Sequence, residues 1–135
     1  MKKVLTVGVF DYFHIGHLRL FEQCRKYGDY LIVAVQESDY ILMYKPNAQI
    51  LYSTQERVEL IKSLRTVDYV VTYTDVDDIV KKIDFDIFAV GEDQNHSGFK
   101  RAIDWCMKNN KQIARLRRTQ GISSSDIKKE VINLY

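Results

Sequence analysis

The pattern of apolar and polar residues along the chain alternates between segments typical of strands and segments typical of helices. Short apolar runs predict five strands, at 4–10, 30–35, 68–73, 87–90 and 112–116. Segments with helical spacing separate or follow these runs, near 17–27, at 53–64, 76–83 and 99–109, and from 124 onward. Strict alternation of this kind predicts an α/β fold, a Rossmann-like doubly wound domain with a five-stranded parallel sheet.

Local signals support several of these helices. Ser53 and Glu56 have the spacing of a capping box at the start of the second predicted helix. One face of the first predicted helix carries His17, Leu20, Phe21, Cys24 and Tyr27, and one face of the last carries Ile127, Val131 and Leu134. The stretch around Pro46 has no clear periodicity and is predicted to be a loop.

Composition narrows the class of protein. The 135 residues, 46% of them hydrophobic, fit one domain spanning 1–135. The 20 basic residues nearly balance the 18 acidic ones, so net charge gives no reason to expect a nucleic acid as partner. No apolar stretch is long enough to cross a bilayer, and we expect a cytoplasmic protein. Cys24 and Cys106 lack the spacing of a metal or redox pair.

A polar segment between the first predicted strand and helix is the first candidate for chemistry. His14, Gly16 and His17 lie where a helix N-terminus would face the ligand crevice of a doubly wound sheet. Gly16 would let a phosphate approach the backbone, and both imidazoles can donate hydrogen bonds to its oxygens. The structural alternative is that His17 only completes the apolar face of the helix and that His14 is an ordinary loop residue. A zinc site would need further ligands that the sequence does not supply.

The second candidate lies at the other end of the chain, between the last predicted strand and helix. Arg118 is followed by Thr119 and by a run of three serines that begins at Ser123. A guanidinium can clamp phosphate oxygens, and hydroxyls at a helix start add neutral donors. An ordinary serine-capped helix after exposed arginines is the alternative.

Together the two segments resemble the cytidylyltransferase family, whose hallmarks are HxGH and RTxGIS motifs. Within it the glycerol-3-phosphate cytidylyltransferases are the most similar. The resemblance extends over nearly the whole chain through GxFD at 8–11, GDYL at 28–31, ER at 56–57, RxVD at 65–68 and GxD at 91–93. It implies transfer of CMP from CTP to a small phosphorylated acceptor, with magnesium as cofactor, in an enzyme that is a homodimer.

The resemblance also implies roles for particular residues. His14 and His17 would stabilise charge on the α-phosphoryl group of CTP, and Arg118 would hold the triphosphate. The implied nucleotide-binding positions are Val9, Phe10, Asp11, Gly16, Asp93, Thr119, Gly121, Ile122 and Ser123. Among them, Asp11 would orient a histidine or a magnesium-bound water, and Asp93 would lie near the nucleoside. No metal ligands are assigned.

Two further cations, Lys45 and Arg57, match the family's additional phosphate-handling residues. Departures from the family concentrate where an acceptor should be recognised. Lys45 is alone where the glycerol-phosphate enzymes carry a lysine-rich loop. Gln94, Asn95 and His96 replace part of the family's GDDWxGKF segment, either as acceptor contacts or as polar loop residues.

The acceptor therefore stays open at this point. Glycerol 3-phosphate is favoured, while phosphoethanolamine, phosphocholine, a phosphorylated amino acid or amide such as phosphoglutamine, and a sugar phosphate are alternatives. An ATP-using adenylyltransferase is the alternative within the wider superfamily, since both classes use HxGH. A regulatory nucleotide-binding module is the alternative outside enzymes.

Overall fold

A single parallel sheet organises the chain in the computed structural model, which describes residues 1–119 and 123–134 and side chains up to residue 131. Its strands are β1 (Lys3–Gly8), β2 (Tyr30–Gln36), β3 (Tyr69–Tyr73), β4 (Ile87–Gly91) and β5 (Gln112–Leu116). The helices are α1 (Ile15–Arg25), α2 (Ser38–Tyr44), α3 (Thr54–Lys62), α4 (Val76–Lys82), α5 (Ser97–Lys108) and α6 (Ser124–Leu134). The predicted α/β class with five parallel strands is confirmed.

The strand order places a switch point beside β1. The order is β3-β2-β1-β4-β5, and every neighbouring pair is parallel. The chain runs outward from β1 to β3 and then returns to β4 on the other side of β1. In such sheets the connecting loops diverge at the carboxyl ends of the two central strands, which leaves a crevice for a ligand. The fold therefore directs attention to the residues that follow β1 and β4.

Two layers of helices bury the two faces of the sheet. Leu5 and Phe88 point to the face covered by α4 and α5, while Val4 and Ala89 point to the face covered by α1 and α3. All five residues of β4 are buried, as expected of a parallel strand covered on both sides. Burial on both faces explains why these strands read as continuous apolar runs.

Some predicted boundaries are wrong, for local reasons. β1 ends at Gly8 rather than residue 10, because Phe10 has a φ of 56° that no strand allows. α1 begins at Ile15, and Tyr27 lies beyond its end with 40% of its surface exposed. The stretch before Pro46 contains α2, a helix of seven residues that buries Ile41, where a loop was predicted. Such a short helix gives little periodic signal.

The GDYL and RxVD segments, which carry part of the family resemblance, fix strand ends in the structure. A Cβ on Gly28 would lie 2.6 Å from the Lys2 carbonyl oxygen, so only glycine allows this approach. The Lys2 N–H donates to Asp29 Oδ1 at 2.7 Å. The Leu31 N–H likewise donates to Asp68 Oδ2 at 2.8 Å. These carboxylates hold the amino ends of β1 and β2, far from the crevice.

Among the described residues, no helix is long and apolar enough to cross a membrane.

Candidate active site

A cavity of about 470 Å³ opens at the carboxyl ends of the strands, at the switch point. Val9 follows β1, Gly91 ends β4 and Arg117 follows β5, and all three contribute to its wall. Residues from α1, α2 and α6 complete the lining. The cavity thus occupies the crevice that the strand order creates.

The two distant polar segments of the sequence meet in this cavity. His14 and His17 line it from the start of α1, while Arg118, Thr119 and Ser123 line it from the segment before α6. The other predicted positions in its wall are Val9, Phe10, Asp11, Gly16, Lys45 and Asp93. Gly121 and Ile122 lie outside the described residues. One cavity therefore collects imidazoles, a guanidinium and hydroxyls, which together suit a polyphosphate.

Both imidazoles take part in the cap of α1. The Gly16 N–H donates to His14 Nδ1 at 3.0 Å, and the His14 N–H donates to His17 Nδ1 at 3.1 Å. These reciprocal bonds form a capping box built from histidines. Because each Nδ1 accepts a hydrogen bond, the proton of each neutral ring lies on Nε2. The observed capping role and the predicted phosphate-binding role are compatible, since they use different ring nitrogens.

The surroundings of the histidines keep them uncharged. The two rings stack with centroids 3.9 Å apart, and Phe13 stacks on His17 at 5.2 Å. Burial, with the charge of His14 as the second cause, lowers the pKa of His17 to about 4. Burial also lowers the pKa of His14, with the Arg118 guanidinium as the second cause. At neutral pH the pair offers two neutral Nε2–H donors.

The depressed pKa of His17 predicts how stability depends on pH. Between about 4 and the unfolded value of 6.5 the unfolded chain binds more protons, so the free energy of unfolding falls as pH falls through this window. The loss from this group is at most about 3 kcal/mol. Urea unfolding between pH 7 and 4 should show it, and His17→Asn, which keeps a cap acceptor, should reduce it. An equal pH dependence in the variant would contradict the assignment.

A strained turn brings α1 to the cavity. Phe10 and Tyr12 have φ values of 56° and 50°, in the region that side chains disfavour. The Phe10 ring is buried against Phe21 and against His17. A Cβ on Gly8 would lie 2.8 Å from the Phe10 ring, so the glycine leaves room for the ring to fold back. Packing of this ring offsets the backbone strain.

Arg118 faces the cavity from the ends of β4 and β5. Its N–H donates to Glu92 Oε1 at 2.7 Å, and its Nη1 lies 3.9 Å from Asp93 Oδ2. The side chain is half exposed, which leaves donors of the guanidinium open to a ligand. Gln23 of α1 fixes the same segment, since its side chain donates to the Arg117 carbonyl and accepts from the Arg117 N–H.

Sequence reasoning missed Gln23, and it left Gln94 and His96 open between acceptor contacts and polar loop residues. Gln94 lines the cavity, but its amide accepts from the Gly91 N–H and donates to the Val7 carbonyl. It therefore ties the ends of β1 and β4 together. His96 caps α5 by accepting from the Gly98 N–H. The bonds of Gln23 to Arg117 and of Gln94 to Val7 join residues far apart in the chain, so no local pattern could reveal them.

Arg57 was predicted to bind phosphate, and the structure gives it a structural role instead. The side chain is completely buried, and its five N–H donors are all used within the protein. They reach three carbonyls and two hydroxyls, those of Tyr52, Val9, Gln36, Ser38 and Thr54. Burial lowers the pKa of Arg57, and the nearby negative charge of Asp11 opposes that shift. The residue joins the segments after β1 and β2 to the start of α3.

Asp11 also differs from its predicted role. Its two carboxylate oxygens accept from the backbone N–H groups of Leu51 and Tyr52, at 2.7 and 3.0 Å. The side chain is buried and lies at the wall of the cavity. The carboxylate therefore anchors the segment between α2 and α3 and does not orient a histidine. Ser124 contributes as well, because its hydroxyl donates to the Asp11 carbonyl at 2.8 Å.

The described part of the chain holds no preformed cluster of metal ligands and no reactive thiol. In the described part of the chain, no three His, Cys, Asp or Glu side chains cluster as metal ligands. Burial raises the pKa of Cys24 to about 12 and that of Cys106 to about 11, so neither thiol ionises near neutral pH.

The fold has relatives among solved structures. The lipopolysaccharide core biosynthesis protein from Thermoplasma volcanium superposes with a TM-score of 0.71 at 25% identity, over 88% of this chain and 97% of that one. TmcAL of Thermotoga maritima, solved with alpha-thio ATP, gives a TM-score of 0.69 at 15% identity and shares the fold. In that case this chain covers 51% of the other.

Sequence comparison gives the family. Glycerol-3-phosphate cytidylyltransferase of Staphylococcus aureus is 33% identical over 134 residues, which are 97% of this chain and 96% of that one. The Bacillus subtilis enzyme of the same name is 32% identical over 99% of this chain and all of its own. An FAD synthase of Thermococcus kodakarensis is 38% identical over 68% of this chain and 63% of its own. The cytidylyltransferase-like family model matches residues 5–130, and the chain therefore belongs to this family of CTP-dependent nucleotidyltransferases.

Proposed function

We propose that residues 1–135 form one catalytic domain that transfers CMP from CTP to glycerol 3-phosphate and releases pyrophosphate. The observation that carries the proposal is the convergence of His14, His17 and Arg118 on one cavity. Similarity over nearly the whole length to two glycerol-3-phosphate cytidylyltransferases supports this acceptor over the alternatives.

The proposed chemistry needs no protein nucleophile and no general base. A phosphate oxygen of the acceptor is already anionic at neutral pH, and it attacks the α-phosphorus in line with the departing pyrophosphate. His14 and His17 donate through Nε2–H to oxygens of the α-phosphoryl group, where negative charge develops. Arg118 binds the phosphates that leave. Catalysis then consists of positioning and of charge stabilisation by donors that are already in place.

Magnesium enters this proposal with the nucleotide. A triphosphate-bound Mg²⁺ commonly needs only one or two protein carboxylates, because phosphate oxygens and water fill its other positions. The cavity fits that mode because its described wall contains two carboxylates, and only one of them is exposed. Both oxygens of Asp11 accept from backbone N–H groups, whereas Asp93 is exposed in the wall. The metal would supply charge neutralisation, with Asp93 as its protein contact.

A panel of nucleotides and acceptors tests the proposal. We expect pyrophosphate release with CTP, Mg²⁺ and glycerol 3-phosphate, with weaker release for phosphoethanolamine, phosphocholine and sugar phosphates. The FAD synthase similarity makes ATP the necessary comparison nucleotide. Turnover with ATP alone would refute the CTP assignment. Tight CTP binding without turnover of any acceptor would instead indicate a regulatory module.

The homodimer is a separate proposal that rests on the family resemblance. Sedimentation of the purified protein should give twice the 15.9 kDa of one chain. A monomer at the enzyme concentrations that support turnover would contradict it.

A further inference from the structure

Lys128 is a cation in the cavity wall that no motif in the sequence identifies. It lies in α6, four residues after Ser124, so the two side chains share one face of the helix. Both contact the same turn, because Ser124 bonds to the Asp11 carbonyl and the Lys128 ammonium lies 3.9 Å from Asp11 Oδ2. The start of α6 is thereby held against the segment that follows β1.

The contacts that the ammonium makes with residues 1–119 and 123–131 orient it without taking up its hydrogen-bond donors. A separation of 3.9 Å from Asp11 is too long for a hydrogen bond, and the carboxylate already accepts from two backbone N–H groups. The ammonium also lies 5.2 Å from the centre of the Tyr12 ring, where a cation–π attraction helps to orient it. The side chain is 28% exposed. An anion entering the cavity therefore meets a positioned lysine whose donors are not taken up by any of the described residues.

The position of Lys128 differs from that of Arg118. Arg118 is fixed to the segment after β4 through Glu92 and Asp93. Lys128 is beside Asp11, which is bonded to the segment that connects α2 with α3. β1 lies between β4 and β2 in the sheet, so the two cations belong to different halves of the crevice. Lys45, which ends α2, lines the same half as Lys128.

The proposed reaction must accommodate two anions at once. The triphosphate carries the leaving pyrophosphate, and the acceptor brings its own phosphate to the opposite side of the α-phosphorus. If Arg118 binds the leaving phosphates, the acceptor phosphate approaches from the half of the crevice beyond β1. A dianion there needs cations, and Lys45 and Lys128 are cations in that half of the wall.

We propose that Lys128 binds the phosphate of the acceptor and positions its oxygen for attack on the α-phosphorus. The inference rests on the proposed cytidylyl transfer, and it assigns the recognition of any phosphomonoester acceptor to a residue of α6. The cation–π contact with Tyr12 would hold the ammonium at the place where it contacts the acceptor.

Steady-state kinetics with three variants tests this assignment. Lys128→Met keeps the apolar stem and removes the charge, so the fold should be retained, which the melting temperature checks. Loss of a charged hydrogen bond should raise KM for glycerol 3-phosphate by about 10- to 100-fold, with KM for CTP within about twofold of wild type. Lys128→Arg should restore part of the affinity. Lys129→Met is the matched control, because Lys129 is the neighbouring, exposed lysine of the same helix and should change neither constant.

The outcomes separate this inference from the proposed function. An unchanged acceptor KM in Lys128→Met, or an equal rise in KM for CTP, would overturn the role of Lys128 and leave the enzyme's activity as proposed. Faster turnover of another phosphorylated acceptor than of glycerol 3-phosphate would refute glycerol 3-phosphate as the acceptor, and the same comparison with that acceptor would still decide the role of Lys128. Failure of the wild-type protein to turn over any phosphorylated acceptor would overturn both.

Discussion

Alanine at position 14 or 17 should lower the turnover number by about 100- to 1000-fold, since each change removes one preorganised donor to the α-phosphoryl group. Pyrophosphate release under saturating CTP and acceptor measures the effect. The substitution also removes part of the cap of α1, which should cost about 1 kcal/mol of stability. At assay temperature the fold should persist, as far-ultraviolet circular dichroism would confirm.

The cap and the chemistry can be separated with matched variants. His14→Asn keeps a good N-cap acceptor but lacks the Nε2–H donor, so it should retain stability and still lose turnover. His96→Ala removes a histidine that caps α5 in the same manner but lies outside the cavity wall. It should lose stability and keep turnover. Near-wild-type turnover in His14→Ala and His17→Ala would remove both histidines from the mechanism.

Replacement of Arg57 by methionine should have the largest effect on stability. Its guanidinium satisfies three buried carbonyls and two hydroxyls, and the change would leave those groups without their partner. We expect the free energy of unfolding to fall by about 3 to 5 kcal/mol. Urea denaturation monitored by circular dichroism measures this loss.

The control for Arg57 is an exposed cation of the same helix. Lys62→Met should change the free energy of unfolding by less than about 0.5 kcal/mol. A phosphate-binding Arg57 would give another result, namely nearly unchanged stability with a higher KM for CTP. That combination would restore the role that the sequence suggested and contradict the structural one.

The sequence predicts the sheet well because parallel strands leave a strong local signal. β5 and the start of α6 lie where the pattern places them, and the capping box of Ser53 and Glu56 is present. The His14–His17 and Arg118 motifs also point correctly to one cavity. In both cases short segments of sequence contain the whole signal.

The pattern could not reveal what depends on distant backbone atoms. Arg57 bonds to carbonyls 48 and 21 residues away, and Asp11 accepts from N–H groups 40 and 41 residues away. Nothing near either residue indicates those partners. The same holds for Gln23, which reaches a segment 94 residues later in the chain. α2 was missed for a different reason, since seven residues give too few turns for a periodic pattern.

The double anchoring of the chain between α2 and α3 has a consequence for engineering. Asp11 holds Leu51 and Tyr52, and Arg57 holds the carbonyl of Tyr52, so the downstream end of this connection is fixed independently of residues 46–50. Ile41 anchors the upstream end in the core. If residues 46–50 were replaced by the corresponding segment of another family member, the contacts that fix both ends of this connection would therefore stay the same. If the acceptor binds in the half of the crevice that contains Lys45, as proposed, replacing residues 46–50 would change acceptor preference and leave His14, His17 and Arg118 in place.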